Sequence, residues 1–324
     1  MAMRMYDIID KKKKGSELTP KEITYMVEGY VAGEIPDYQV SAFLMAVYYE
    51  GMSEKELSVF TDSMAKSGDM VDLSQIKGIK VDKHSTGGVG DKTTLAVAPL
   101  VAACGGRVAK MSGRGLGFTG GTIDKLESIP GMQTAISEER FFEIVNDIGL
   151  SVIGQSAEIA PADKKLYALR DVTATVDSIP LIAASIMSKK LASGSDKIVL
   201  DVTVGSGAFM KNIDDAICLA QRMVEIGENA GRQTVAILTN MDVPLGEAVG
   251  NDIEVVEAIE TLQGKGPEDF RQICVEFAAY MLYLGEIADL ETSRKMVEDA
   301  IDYGKGIDKL AAMVKAQGGD ESYI

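Results

Sequence analysis

Positive charge is scarce in this sequence. Its 324 residues hold 33 Lys and Arg against 49 Asp and Glu, a net charge of −16. A polyanion is bound by laying a basic stripe along it and releasing counterions, so nucleic acid is excluded as a partner and any anionic ligand must be held locally. Long apolar stretches are missing as well. No run of about 18 uncharged apolar residues occurs, and the opening MAMRMYDIIDKKKKG lacks the apolar core of a signal peptide. Membrane is therefore excluded too, and a cytoplasmic protein is expected. Cysteine is limited to Cys104, Cys218 and Cys274, far apart and without CxxC or Cys/His spacing. That excludes a zinc site and fits buried, reduced thiols. Histidine is limited to His84, and there is no internal repeat or low-complexity segment.

What is present is an ordinary globular composition, 46% apolar and 25% charged. The chain exceeds the usual domain of about 100–200 residues, so two domains are expected. The first 67 residues read as helices with clear start signals. In LTPKEI, Thr19 is an N-cap, Pro20 takes the first helical position, Glu22 closes a capping box and Leu18 can staple onto Ile23. MSEKEL repeats this grammar with Ser53, Glu56, Met52 and Leu57. Between them Pro36 opens a helix that Gly51 closes. From residue 78 onward short β-branched runs, IKVD, RVAKM, LSVI, KIVLDVTV and QTVAILTN, alternate with helical stretches, the pattern of a parallel sheet. Residues 161–193 interrupt it with a helical insertion. The expected fold is a small helical domain in two discontinuous pieces, 1–67 and 161–193, beside a larger α/β domain with a mainly parallel sheet, 78–160 and 194–324.

Ligands of open α/β sheets bind beyond the carboxyl ends of strands. The first such transition is VDKHSTGGVGDKTT, where a strand delivers Lys83, His84, Ser85 and Thr86 into a glycine turn that opens a helix. Successive backbone N–H groups there make an anion nest, helped by the helix N-terminus and the lysine. Asp91 stands where a Walker loop requires glycine before its lysine, so that motif fails, and no dinucleotide fingerprint is present. A lone histidine is more often structural than catalytic, but His84 sits between a lysine and two hydroxyls. The second transition follows strand RVAK: SGRGLGFTGGTIDKLE packs five glycines into residues 112–127, a loop shaped for close backbone approach. It offers Lys110, Ser112 and Thr122 as donors, while Asp124 and Glu127 read as caps and lysine partners. In the insertion, Ser185 and Lys189 are four apart on one helix face, with Arg170 nearby in sequence.

The run SGRGLGFTGGTIDKLE resembles the signature of the thymidine and pyrimidine-nucleoside phosphorylases, and KHSTGGVGD and RDVTATVDSIPLIAASIMSKK resemble that family's other site segments. The likeness covers essentially the whole chain. It implies a nucleoside phosphorylase/phosphoribosyltransferase type of fold and a pentosyltransferase, active on uridine, deoxyuridine and thymidine with inorganic phosphate. Members continue into a C-terminal α+β domain that is absent from these residues. By position, Lys83, Ser85, Thr94, Lys110, Ser112 and Thr122 resemble the phosphate set. Arg170, Ser185 and Lys189 resemble the base set, with His84 bridging towards the pyrimidine carbonyl. His84, Arg170 and Lys189 are the implied catalytic group. The resemblance further implies potassium at Gly90, Lys92, Leu245, Ala248 and Glu257, held mostly by main-chain carbonyls, although Lys92 departs from the small residue common at its position. It implies no organic cofactor, and a homodimer. The alternatives are a thymidine-selective phosphorylase and an anthranilate-type phosphoribosyltransferase. The latter needs Mg²⁺ and a diphosphate site, and the segment around Arg170 speaks against it.

Overall fold

The computed structural model describes residues 3–115 and 120–324; residues 116–119 of the glycine-rich run lie outside them. The described residues form five strands, each where a β-branched run stands: β1 (Val81–Ser85), β2 (Val108–Ser112), β3 (Leu150–Gly154), β4 (Lys197–Val204) and β5 (Gln233–Asn240). Every pairing is parallel. β4 lies between β1 and β5, and β2 pairs with β3. One bridge, Lys80 to Arg107, joins the two sheets just before β1 and β2 begin. Beyond it these strands share no ladder, and Lys110 Nζ of β2 donates instead to the carbonyl oxygen of Lys83 on β1. β4 is buried along its middle, which is why its run reads as almost continuously apolar.

The α/β unit comprises Asp72–Gln155, Ser195–Ile213 and Gln233–Ile324. At its centre the helix Thr93–Ala103, TTLAVAPLVAA, is buried on all sides up to Ala102 and carries no charged face. Leu100, Val101, Phe270, Phe277, Val297 and Leu310 pack in the same core, each such side chain worth roughly 1.5–3 kcal/mol on burial.

The helical unit comprises Met1–Val71, Ser156–Gly194 and Asp214–Arg232. Both capping boxes form, Thr19 with Glu22 and Ser53 with Glu56. Glu56 does more than cap: its carboxylate also takes the buried Lys12 ammonium at 2.9 Å and the Leu18 N–H at 2.9 Å. Gly51 ends its helix at φ +67°, in the left-handed region that favours glycine. The insertion is stitched to the first piece by Asp69 N–H to Glu158 O (2.9 Å) and Val71 N–H to Ala192 O (2.8 Å). One part of the expected division changes. The helix Ile213–Asn229, between β4 and β5, groups with the helical unit, where the Asn229 amide donates to Glu54 and Ser58. Its amphipathic pattern specifies a buried face but not the surface that covers it. Among the described residues no helix is long and apolar enough to cross a membrane.

Candidate active site

In the α/β unit, strand alternation puts Lys83 and Ser85 on one side of β1 and His84 on the other. His84 is partly buried and stands in register with Leu200 of β4. The Lys83 ammonium is buried. It donates to Thr93 Oγ1 and to Asp201 Oδ2 at 3.0 Å, stands 3.7 Å from Asp91 Oδ1, and lies 4.8 Å from the centre of the Phe277 ring. Burial favours the neutral amine, but the two carboxylates outweigh it and hold the Lys83 pKa above that of an ordinary lysine. Asp91 lies far below the usual carboxylate range: burial opposes this, and Lys83 with the Thr93 hydroxyl overcomes it. Asp201 moves up through burial, with Lys83 opposing the shift and the like charge of Asp91 adding to it.

Neither Asp91 nor Asp201 was singled out as a partner of Lys83 from the sequence. Asp201 did leave a signal, since an acid in the middle of KIVLDVTV falls in a strand covered on both faces and requires a buried cation. Ser85 Oγ accepts from Gly87 N–H at 3.1 Å, and Thr94 is buried in the first turn of the helix Thr93–Ala103. The backbone N–H groups of Gly88, Val89 and Gly90 have no partner among the described residues. Such a row suits an anion.

In the middle of β2, Lys110 is buried against Asp82 Oδ1 (3.0 Å) as well as the Lys83 carbonyl. Ser112 closes the strand and accepts from Gln155 N–H at 3.0 Å. Thr122 is the first residue of the helix Thr122–Leu126. Asp124 caps, as expected, taking N–H groups from Gly115 (2.6 Å) and Gly121 (2.9 Å). The cation facing the two acids is Arg114, which is bidentate to Glu127 and also bonds Asp124, and not a lysine. A planar fork fits a carboxylate better than an ammonium does. Gly121 is required by close approach: a Cβ there would fall 2.4 Å from Gly115 N. Lys125, passed over in the sequence, is buried and ties both loops together, donating to Asp91 O (2.7 Å) and Gly120 O (3.0 Å) and pairing with Glu254 at 3.0 Å.

In the helical unit, Ser185 and Lys189 do share a face of the helix Ile179–Ala192, with Lys189 Nζ 3.3 Å from Ser185 Oγ. The same ammonium donates to Asp163 Oδ2 at 2.6 Å, while Asp163 Oδ1 is buried without a hydrogen-bond partner among the described residues. Sequence reading missed Asp163 because an acid in the first turn of a helix, here Pro161–Val172, is ordinary dipole complement. Arg170 is buried, and its guanidinium spans three carbonyls: Thr175 (3.3 Å), Val176 (2.6 Å) and Leu181 (3.1 Å). Burial lowers its pKa, with Asp163 acting the other way. Arg170 therefore organises the turn between the two helices of the insertion.

Two family models match the chain: the helical bundle domain of a glycosyl transferase family over residues 6–68, and its a/b domain over residues 77–307. The chain is 57% identical over 323 residues to a pyrimidine-nucleoside phosphorylase of Geobacillus stearothermophilus, covering 99% of this chain and 75% of that relative. It belongs to the pyrimidine-nucleoside phosphorylase family. A pyrimidine-nucleoside phosphorylase of Staphylococcus epidermidis is likewise 57% identical, with the same coverage. Anthranilate phosphoribosyltransferase of Thermus thermophilus matches in structure with a TM-score of 0.78 at 17% identity, over 96% of this chain and 99% of that one. That is a likeness of fold alone.

The set expected to hold potassium converges on a charge the chain already supplies. Lys92 Nζ donates to the carbonyls of Leu245 and Ala248, both at 2.8 Å, and pairs closely with Glu257. Gly90 stands against the same carbonyls, a Cβ there falling 2.7 Å from Leu245 O. A second unit charge about 4 Å from this ammonium would be repelled by about 4 kcal/mol at an effective dielectric of 20. These residues do not fit potassium.

Proposed function

We propose that the chain catalyses reversible phosphorolysis of pyrimidine nucleosides. Inorganic phosphate attacks C1′ of the pentose and the bond from C1′ to the base nitrogen breaks. Its electron pair leaves with the pyrimidine, which then takes up a proton, and the second product is a pentose 1-phosphate. The observation that carries this reading is 57% identity over 323 residues, a span that includes all three segments that bear the candidate site. Fold likeness alone would suit a phosphoribosyltransferase equally well. The chemistry agrees with the residues: backbone N–H groups and hydroxyls around Gly88, Ser85, Thr94, Ser112 and Thr122 suit phosphate, and Arg170 and Lys189 offer positive charge to a departing base. His84 is assigned to the pyrimidine carbonyl. The deciding experiment incubates the protein with uridine, with and without phosphate. Uracil and ribose 1-phosphate should appear only with phosphate. Release of base without phosphate, or turnover of anthranilate with phosphoribosyl diphosphate instead, would contradict the proposal.

Uridine is proposed as a substrate alongside deoxyuridine and thymidine, the support being a lysine at position 110 rather than an apolar residue. Lys110→Met should lower kcat/KM for uridine more than for deoxyuridine. A loss common to both would report only the lost ion pair with Asp82. Equal losses, or strong rejection of uridine by the unaltered protein, would remove the assignment.

A homodimer belongs to the same proposal, supported by exposed aromatic residues of the helical unit, Tyr38 at 73% and Tyr49 at 77% exposure, and by two-fold symmetry being the commonest arrangement. Light scattering at micromolar concentration should give twice the chain mass, and a clean monomer would exclude it. A cytoplasmic setting is supported by the unpaired cysteines. Burial pushes the Cys104 thiol up to about 11, so little reactive thiolate forms at neutral pH.

A further inference from the structure

We infer that Lys92 is a built-in monovalent cation: its ammonium holds the loop that carries Leu245 and Ala248, and the protein requires no potassium. Lys92 is the N-cap residue of the helix Thr93–Ala103. A positive charge there has the wrong sign for the helix dipole, and this side chain is fully buried. Such a placement persists only where the surroundings supply compensating negative charge.

The surroundings do so completely. The ammonium donates to two carbonyls, Leu245 O and Ala248 O, at 2.8 Å each, and Glu257 Oε1 stands against it as an ion pair. The acceptors are themselves assembled for a cation. Glu257 Oε2 takes the N–H groups of Glu247 (2.8 Å) and Ala248 (2.9 Å), which fixes the loop around its carboxylate. Gly246, at φ +67°, leaves room beside it, since a Cβ there would fall 2.2 Å from Glu257 Oε1 and 3.1 Å from Lys92 Nζ. Two converging carbonyl dipoles and a carboxylate repel one another unless positive charge stands between them.

The consequence reaches the candidate phosphate turn. Lys92 N–H bonds Gly90 O at 2.9 Å, and Leu245 N–H bonds Val89 O at 3.0 Å. The clamp thus joins the Gly87–Asp91 turn to the Leu245–Ala248 loop by covalent linkage at one end and ionic contact at the other. A dissociable ion could leave such a loop, whereas a lysine cannot.

The test compares the whole chain in potassium chloride and in tetramethylammonium chloride, whose cation is too large for such a site, at equal ionic strength. The thermal unfolding midpoint is one readout and phosphate-dependent turnover the other. The turnover readout rests on the proposed function; the thermal one does not. For the unaltered protein both should be the same in the two salts. For Lys92→Thr the midpoint should fall in tetramethylammonium and recover on adding potassium, because removal of the ammonium leaves two carbonyls, a carboxylate and a new hydroxyl around one space. A midpoint of the unaltered protein that rises with potassium overturns the inference, as does a Lys92→Thr protein with an unchanged midpoint in both salts. Should Lys92→Thr fail to fold, the comparison on the unaltered protein decides by itself. Absence of turnover in every salt, with a potassium-independent midpoint, would count against the phosphorylase reading and leave the cation assignment standing.

Discussion

Replacing Lys83 by methionine is expected to destabilise the α/β unit by about 3–5 kcal/mol, the loss that follows when one partner of a buried ion pair is removed. Lys83 is the only ammonium within bonding distance of Asp201 among the described residues, and it also balances Asp91. Methionine keeps most of the apolar stem against Phe277 but leaves the buried Asp201 and the partly buried Asp91 without their shared ammonium. The urea midpoint should drop with the slope unchanged. The double variant Lys83→Met, Asp201→Asn should recover part of the loss, because one of the two orphaned charges is gone. If the single variant unfolded at the original midpoint and altered only the KM for phosphate, Lys83 would be a ligand-binding residue without a structural duty.

The pH dependence carries the same signature, with its sign fixed by the three shifts. The raised Lys83 pKa means its contribution is fully present below about 10.4, the ordinary lysine value, and disappears as pH rises through the folded-state value. The lowered Asp91 pKa means its contribution is present above about 3.9 and disappears as pH falls towards the folded-state value. Asp201 works in the opposite sense: its raised pKa subtracts stability as pH climbs past about 3.9. The acid limb of the unaltered protein therefore reflects Asp91 more than Asp201.

Local signals were readable in the sequence, and partners distant in the chain were not. The two capping boxes follow from four-residue patterns, and each strand follows from a β-branched run whose backbone bonds go to a neighbour of the same kind. Thr19, Ser53, Pro36 and Gly51 act where they were expected to act. Lys83, by contrast, meets Asp201 across 118 positions, and Lys189 meets Asp163 across 26. Nothing in the spacing of either pair distinguishes a buried ion pair from two solvated charges. The membership of the helix Ile213–Asn229 has the same origin, because a moment names a face and not its neighbour. Lys92 is the sharpest case. The family resemblance implied a ligand of an ion there, and only the convergence of Leu245, Ala248 and Glu257 on its Nζ points to it as the charge itself.

Arg170→Ala is expected to lower kcat by about 10² to 10³, the range for loss of one donor to charge developing in a transition state, while leaving the KM for phosphate unchanged. The guanidinium bonds make this more than a lost contact. Three carbonyls at Thr175, Val176 and Leu181 lose their donor, and a buried group left unsatisfied costs about 1–3 kcal/mol. The connection that leads into the helix of Ser185 and Lys189 would then lose its anchor, and the KM for nucleoside should rise with the fall in kcat. Arg170→Lys tests the geometry separately. A single ammonium cannot span three carbonyls in one plane, so it should recover little, although the charge is kept. Asp163→Asn isolates the other half of the cluster, because it preserves shape but removes the negative charge that Lys189 Nζ meets at 2.6 Å. Its effect should appear in kcat and in the nucleoside KM with the urea midpoint nearly unmoved, as befits a positioning residue beside a lysine that keeps 26% of its side chain exposed. An Arg170→Ala protein in which only the phosphate KM changed, with kcat and nucleoside KM intact, would assign this helix to the wrong substrate.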